Sequence, residues 1–160
     1  MQMSIRDVCN RNVVTVQANS TLVEASQKMS QNHVGSLVVI ESYNGRRIPV
    51  GIVTDRDLAL SLSSSPDPRQ LKVSQIMRSR PITVRLTDGV FESIELMERS
   101  GIKRLPVVDE SGELAGIVCA DDMASLVSQE SAKLAKITEI QTKKEAGLRY
   151  PLKVEPRFQL

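Results

Sequence analysis

The chain predicts a mixed α/β (α+β) fold. It should hold two pseudo-symmetric halves, each strand-helix-strand-strand-helix, packed sheet to sheet, plus a C-terminal helical extension and tail. Two observations predict this. First, one passage is written twice. Thr15-Val16 returns as Thr83-Val84, Leu37 and Val39 as Leu105 and Val107, Gly51-Ile52-Val53 as Gly116-Ile117-Val118, and Asp57 as Asp122. The offset is 68 residues from Leu37 to Leu105 and 65 from Val53 to Val118, so a three-residue difference falls in the intervening turn. Second, the apolar period within each copy switches between helical and strand spacing. A unit this short buries its apolar faces poorly alone, so two copies are expected to pack on each other. Such a seam has two related clefts, and differences between the copies rank them.

The elements follow in order. Each copy opens on a short extended piece, Val13–Val16 and Pro81–Val84. A polar helix start follows, Asn19-Ser20-Thr21 or Thr87-Asp88-Gly89. Thr21 and Glu24 have capping-box spacing, in which a hydroxyl and a carboxylate satisfy free amides at a helix start. Leu22, Ala25 and Met29, and Val90, Ile94 and Met97, then recur at helical spacing. The β-branched runs Ser36–Ile40 and Leu105–Val108 predict strands. Asn44-Gly45 and Ser111-Gly112 predict tight turns, since Asn-Gly supplies the positive φ of a hairpin. The returning strands Val50–Thr54 and Ala115–Cys119 run into second helices near Asp55 and Asp121. The division is repeat 1 over 5–62, a Pro/Ser-rich linker over 63–72, repeat 2 over 73–127, and an extension over 128–160. Leu126 to Ala146 lacks Gly and Pro, so the last helix runs on, with Leu134, Ile137 and Gln141 on one face and Gly147 as its expected stop. The tail Leu148–Leu160 is expected to be frayed or laid against a neighbour.

Composition narrows the function. The 160 residues are 41% hydrophobic and 25% charged, with a net charge of +2. That balance calls for neither nucleic acid nor an anionic membrane, despite the basic residues Lys143, Lys144, Arg149, Lys153 and Arg157 near the end. The aromatics are Tyr43, Phe91, Tyr150 and Phe158, too few for a base-stacking surface. Cys9 and Cys119 read as small residues in a reducing compartment. No apolar run reaches the ~20 residues a spanning helix needs, and Met1–Asn10 lacks a signal-peptide core, so a cytoplasmic protein is expected. His33 is the only histidine, a poor basis for a metal site, and none is expected.

Four phrases, His33-Val34-Gly35-Ser36-Leu37-Val38-Val39, Gly51–Leu58, Ile102–Asp109 and Gly116-Ile117-Val118, together resemble the tandem cystathionine-β-synthase (CBS) domain pair, or Bateman module, over about residues 5–127. The resemblance implies a regulatory module that binds adenine nucleotides or related adenosyl compounds and usually dimerises.

It also assigns residues. Thr54-Asp55-Arg56-Asp57 lies at a strand-to-helix junction, where Thr54 and Asp57 alone read as a capping box. A helix start also presents free amides and a positive dipole end, and a carboxylate there can accept ribose hydroxyls. In the family this motif is the ribose and phosphate contact. Family members also bring basic residues on the strand of one copy towards the nucleotide at the other copy's helix start. Here these are Lys103 and Arg104, whose counterparts Gly35 and Ser36 are neutral. By the same analogy Val73, Ile76 and Ile102 line an adenine slot. Arg78 and Arg80 flank the second opening strand, where they could touch a phosphate, but surface charge is the leading reading. The second cleft keeps Asp122, but Cys119 replaces the threonine and Asp121 stands where Arg56 does, so it is expected to be the weaker or empty one.

The leading expectation is therefore a non-catalytic adenine-nucleotide sensor, with AMP, ADP or ATP as regulatory ligand and no required cofactor. It would act as a homodimer on an unidentified protein partner. The alternatives are a ligand-free structural or protein-docking module, or an S-adenosylmethionine or NADH binder. A sulfonium ligand would be repelled by Arg56, Lys103 and Arg104. No nucleophile-base pair or Gly-rich phosphate loop points to catalysis.

Overall fold

The computed structural model describes residues 3–148. Its elements are β1 (Thr15–Gln17), α1 (Leu22–Asn32), β2 (Ser36–Tyr43), β3 (Arg46–Thr54), α2 (Asp55–Ser64), α3 (Val73–Ile76), β4 (Arg78–Ser79), β5 (Val84–Arg85), α4 (Val90–Ser100), β6 (Arg104–Val108), β7 (Leu114–Cys119) and α5 (Ala120–Leu148), with short 3-10 turns at Ile5–Asp7 and Pro68–Gln70. The repeat is visible in the pairing. β1 runs parallel to β2 with Val16 opposite Val39, and β5 parallel to β6 with Val84 opposite Val107. The hairpins match as well, Leu37 facing Val53 and Leu105 facing Val118. The first hairpin is longer than expected because Asn44 (φ 50) and Gly45 (φ 78) form a tight turn that lets pairing reach Tyr43 and Arg46.

Local chemistry sets the helix ends. The Thr21 hydroxyl accepts from Glu24 N at 3.2 Å while Thr21 N donates to Glu24 at 2.7 Å, closing the expected capping box. That backbone amide is the main reason the Glu24 carboxyl is held below the ordinary carboxylate range. His33 (φ 53) and Gly101 (φ 62) end α1 and α4 in the left-handed conformation, giving the lone histidine a place as a helix terminus. On α4 the buried row is Val90, Ser93 and Met97; Ile94 is only half-buried. Ser93 takes the place of Ala25 because its hydroxyl donates to Gly89 O at 2.8 Å and so carries no unpaired polar group inside.

In β2 alternate residues serve two cores. Leu37 and Val39 join Val16, Leu22, Ala25, Met29, Val53 and Val73 beneath the helices. Val38 and Ile40 point the other way and pack with Leu114, Val13 and Ile117, so the halves meet through their sheets. A strand covered on both faces reads as an unbroken apolar run, as Leu37–Ile40 does.

The opening segment of each repeat packs on the other repeat. Ile5 N donates to Asp88 O (2.8 Å) and Val90 N to Met3 O (3.2 Å). The equivalent bonds run from Val73 N to Ser20 O (2.9 Å) and from Leu22 N to Leu71 O (3.2 Å). Further along, β4 pairs with β3, Arg78 opposite Ile52, while Asn10 bridges Ile117. The two Gly-Ile-Val phrases exist for this crossing. A Cβ on Gly51 would lie 3.1 Å from Arg78 O, and one on Gly116 would lie 3.1 Å from Asn10 O. Any side chain at either site would push the crossing arm away.

From Ala124 onward the chain forms a second compact unit. Most of it is α5, a helix of 29 residues. Gly147 is the last residue but one of the helix as described, within one residue of the expected stop. Pairs at helical spacing, Lys133–Glu130 and Lys143–Glu139 (both 2.6 Å), lace its surface. The expectation for the tail falls mostly on 149–160, outside the described residues. No described helix is long and apolar enough to cross a membrane.

Candidate functional site

At the C-terminal end of β3 the chain turns directly into α2, and this junction opens on a cleft of about 720 Å³. Thr54, Asp55, Arg56 and Asp57 form one side. Ile102, Lys103 and Arg104, from the other repeat, form another, and the stretch Arg78–Ile82 completes it. Six of the residues singled out in the sequence thus line one cavity. Val73 and Ile76 do not line it. Val73 is fully buried in the first repeat's core and Ile76 packs against that core, because their segment crosses over as an arm. Apolar surface in the cleft comes instead from Ile52, Ile82 and Ile102.

The helix start is closed on itself. Asp57 Oδ2 accepts from Thr54 N at 2.8 Å and from the Thr54 hydroxyl at 2.7 Å, and Asp57 N donates to the same hydroxyl at 3.2 Å. Arg56 N donates to Asp55 Oδ1 at 2.8 Å, and Asp55 N to Gly35 O at 3.1 Å. The free amides expected here are therefore already satisfied, by side chains and by the Gly35 carbonyl just ahead of β2. Anion recognition in this cleft falls to side-chain cations. Asp57 Oδ1 has no protein partner among the described residues and remains a free acceptor at the cleft wall.

The equivalent junction of the second repeat repeats the geometry with sulfur. Cys119 Sγ donates to Asp122 Oδ2 at 2.6 Å and accepts from Asp122 N at 3.4 Å, while Ala120 N donates to Lys103 O at 2.9 Å. Burial, and then the Asp122 hydrogen bond, push the Cys119 thiol above its ordinary range. Its proton stays on sulfur and keeps the cap closed. Asp121 adds negative charge where Arg56 stands in the first cleft.

Sequence reading favoured surface charge over a phosphate contact for Arg78 and Arg80, yet both line the first cleft. Arg80 takes a left-handed backbone (φ 55) where the chain turns from β4 into Pro81. A signal was available. The aligned residues ahead of the first repeat are Asn10 and Asn12, so this charge, too, belongs to one copy only.

Comparison with known proteins agrees with this architecture. The CBS domain family matches residues 5–64 and again 73–129. An uncharacterized protein of Methanopyrus kandleri is 37% identical over 122 residues, covering 76% of this chain; the chain spans only 61% of that relative's length. The CBS domain pair of protein MJ0100, solved in complex with 5′-methylthioadenosine and S-adenosyl-L-methionine, superposes with a TM-score of 0.71 at 22% identity, covering 81% of this chain and 99% of that one. CBSX2 in complex with AMP gives 0.66 at 24% identity, covering 81% and 98%. With the family matched twice along the chain and the fold shared with a solved CBS domain pair, the chain belongs to the CBS domain family, as a tandem pair of such domains.

Proposed function

We propose that the pair is a regulatory module that binds an adenine nucleotide in the cleft of Thr54, Arg56, Asp57, Ile102, Lys103 and Arg104 and performs no chemistry of its own. The observation that carries this reading is the meeting of Lys103 and Arg104 of one repeat with the Thr54–Asp57 junction of the other. A ligand held there bridges the two halves and strengthens their seam. Asp57 Oδ1 accepts from the ribose, the isoleucines cover the base, and the cations meet phosphate. The MJ0100 domain pair, with 5′-methylthioadenosine and S-adenosyl-L-methionine, and CBSX2, with AMP, lend support, since each holds an adenosine compound. S-adenosylmethionine suits this cleft less well, since its sulfonium would face unpaired cations.

Calorimetry with AMP and adenosine tests the reading. AMP is expected to bind at least tenfold more tightly than adenosine, and to weaken as salt rises, because the screening length is only ~8 Å at physiological ionic strength. Lys103→Ala with Arg104→Ala should bring AMP down to the affinity of adenosine. Equal binding of AMP and adenosine would reduce these residues to ordinary surface charge.

The signal should reach a second chain. Val23 (43% exposed) and Phe91 (62%) occupy equivalent places on α1 and α4, and Leu62 on α2 is 70% exposed. Apolar residues left bare in both repeats support a homodimer. Light scattering is expected to give twice the 17.7 kDa chain mass; a monomer at micromolar concentration, with and without nucleotide, would count against it. A second reading, protein docking without ligand, draws on the exposed Leu134 (66%), Ile137 (60%) and Ile140 (51%) of α5. A thermal shift with nucleotide separates the two.

A further inference from the structure

Five cationic side chains line the cleft: Arg56 at the start of α2, Arg78 and Arg80 at β4, and Lys103 and Arg104 at β6. Among the described residues none of the five side chains has an ion pair or hydrogen bond. The two carboxylates in the cleft do not neutralise them. Asp57 Oδ2 is held by Thr54, and Asp55 Oδ1 by the Arg56 backbone. A phosphate monoester carries at most about two negative charges, fewer than this group can engage.

The second cleft supplies an internal control. At the positions equivalent to these five residues it has Asp121, Asn10, Asn12, Gly35 and Ser36, with no cation among them. Arg11, the one basic residue between Asn10 and Asn12, aligns with Ser79. The structural equivalence is direct, since Arg78 lies opposite Ile52 as Asn10 lies opposite Ile117. One fold therefore carries a fivefold cationic cleft and a cation-poor counterpart, so the charge is not demanded by the architecture. The cleft, at about 720 Å³, also has room for an anion longer than a single phosphate.

We propose that this cleft selects nucleoside polyphosphates over monophosphates, and that Arg78 and Arg80 are the residues that read phosphate number. Arg56, Lys103 and Arg104 suffice for the first phosphate. Arg78 and Arg80, on a separate strand, meet those beyond it. The inference rests on the adenine-nucleotide reading for the identity of the base, and on the five unpaired cations for the phosphates.

The test is calorimetry at about 0.15 M salt, near physiological ionic strength, with AMP, ADP, ATP and inorganic tripolyphosphate, on the full chain and on the Arg78→Asn/Arg80→Asn variant. Asparagine is the residue of the other repeat and tolerates the left-handed backbone at position 80. The native chain is expected to bind ATP at least tenfold more tightly than AMP, with ADP between. The variant should lose at least tenfold in ATP affinity, ending within about threefold of AMP, and change AMP affinity by less than about threefold; each factor of ten corresponds to 1.4 kcal/mol. Equal binding of AMP and ATP by the native chain, or equal loss of both in the variant, overturns phosphate counting and leaves the nucleotide reading standing. Tripolyphosphate bound in an Arg78- and Arg80-dependent way, with no adenosine compound bound, upholds the phosphate site and overturns the adenine reading. Failure of every probe to bind overturns both.

Discussion

Replacing Asp57 by alanine is expected to lower nucleotide affinity ten- to a hundredfold, while Asp122→Ala leaves it within about threefold. The asymmetry follows from where each carboxylate sits. Both cap a helix through Oδ2, Asp57 to Thr54 and Asp122 to Cys119. Only Asp57 lines the cationic cleft. Its free Oδ1 can accept from a ribose, and a hydrogen bond to a charged group is worth roughly 1.5–3 kcal/mol, which gives the expected factor. Alanine also removes a cap, at a cost of about 0.5–2 kcal/mol in folding stability. Urea unfolding separates the two effects. Asp57→Asn sharpens the comparison, because its amide oxygen can still accept from Thr54 while the negative charge is gone. It should keep most of the stability and lose much of the affinity. If Asp122→Ala proves as damaging to binding as Asp57→Ala, the two clefts are ranked wrongly.

The site was legible where its chemistry is written in adjacent letters. Thr54 and Asp57 sit three residues apart at a strand's end, which a local rule can read. Lys103-Arg104 stood out because the same place in the first copy holds Gly35-Ser36. Arg78 and Arg80 were not legible in the same way. Charges beside a proline read as loop, and what brings them to the cleft is pairing of β4 with a strand of the other repeat. The free amides expected at α2 were misread for a related reason. Nothing local tells that the Gly35 carbonyl, twenty residues earlier in the chain, takes the amide of Asp55.

The fold shows the same division between local and distant causes. Turn residues, helix caps and apolar periods specify each element from within a few positions, so strands and helices came out in order. Which half each opening segment joins depends on contacts more than ten residues away. Ile5 and Val73 have equivalent neighbours in sequence, and both are fully buried. Each is the first residue of its own repeat by the family match, yet the hydrogen bonds carry Ile5 to the second repeat and Val73 to the first. Exchange of this kind ties the halves together, because each repeat packs on the opening segment of the other.

That exchange makes Ile5 a large contributor despite its place near the start of the chain. Ile5→Ala should destabilise the protein by about 2–5 kcal/mol, as for other fully buried isoleucines, where a surface residue in a terminal segment would cost next to nothing. The location of the damage is the sharper result. Ile5 N bonds to Asp88 O and Met3 O accepts from Val90 N, so amide exchange should quicken first around β5 and α4. Val73→Ala should do the reverse. Its amide bonds to Ser20 O and its side chain packs with Leu22, Ala25 and Met29, so protection should fall around β1 and α1. Hydrogen exchange on the two variants reads both outcomes at once. A loss near α1 in the Ile5 variant, or a stability change under about 0.5 kcal/mol, the range of ordinary surface substitutions, would mean that the arms are not exchanged and that each repeat closes its own core.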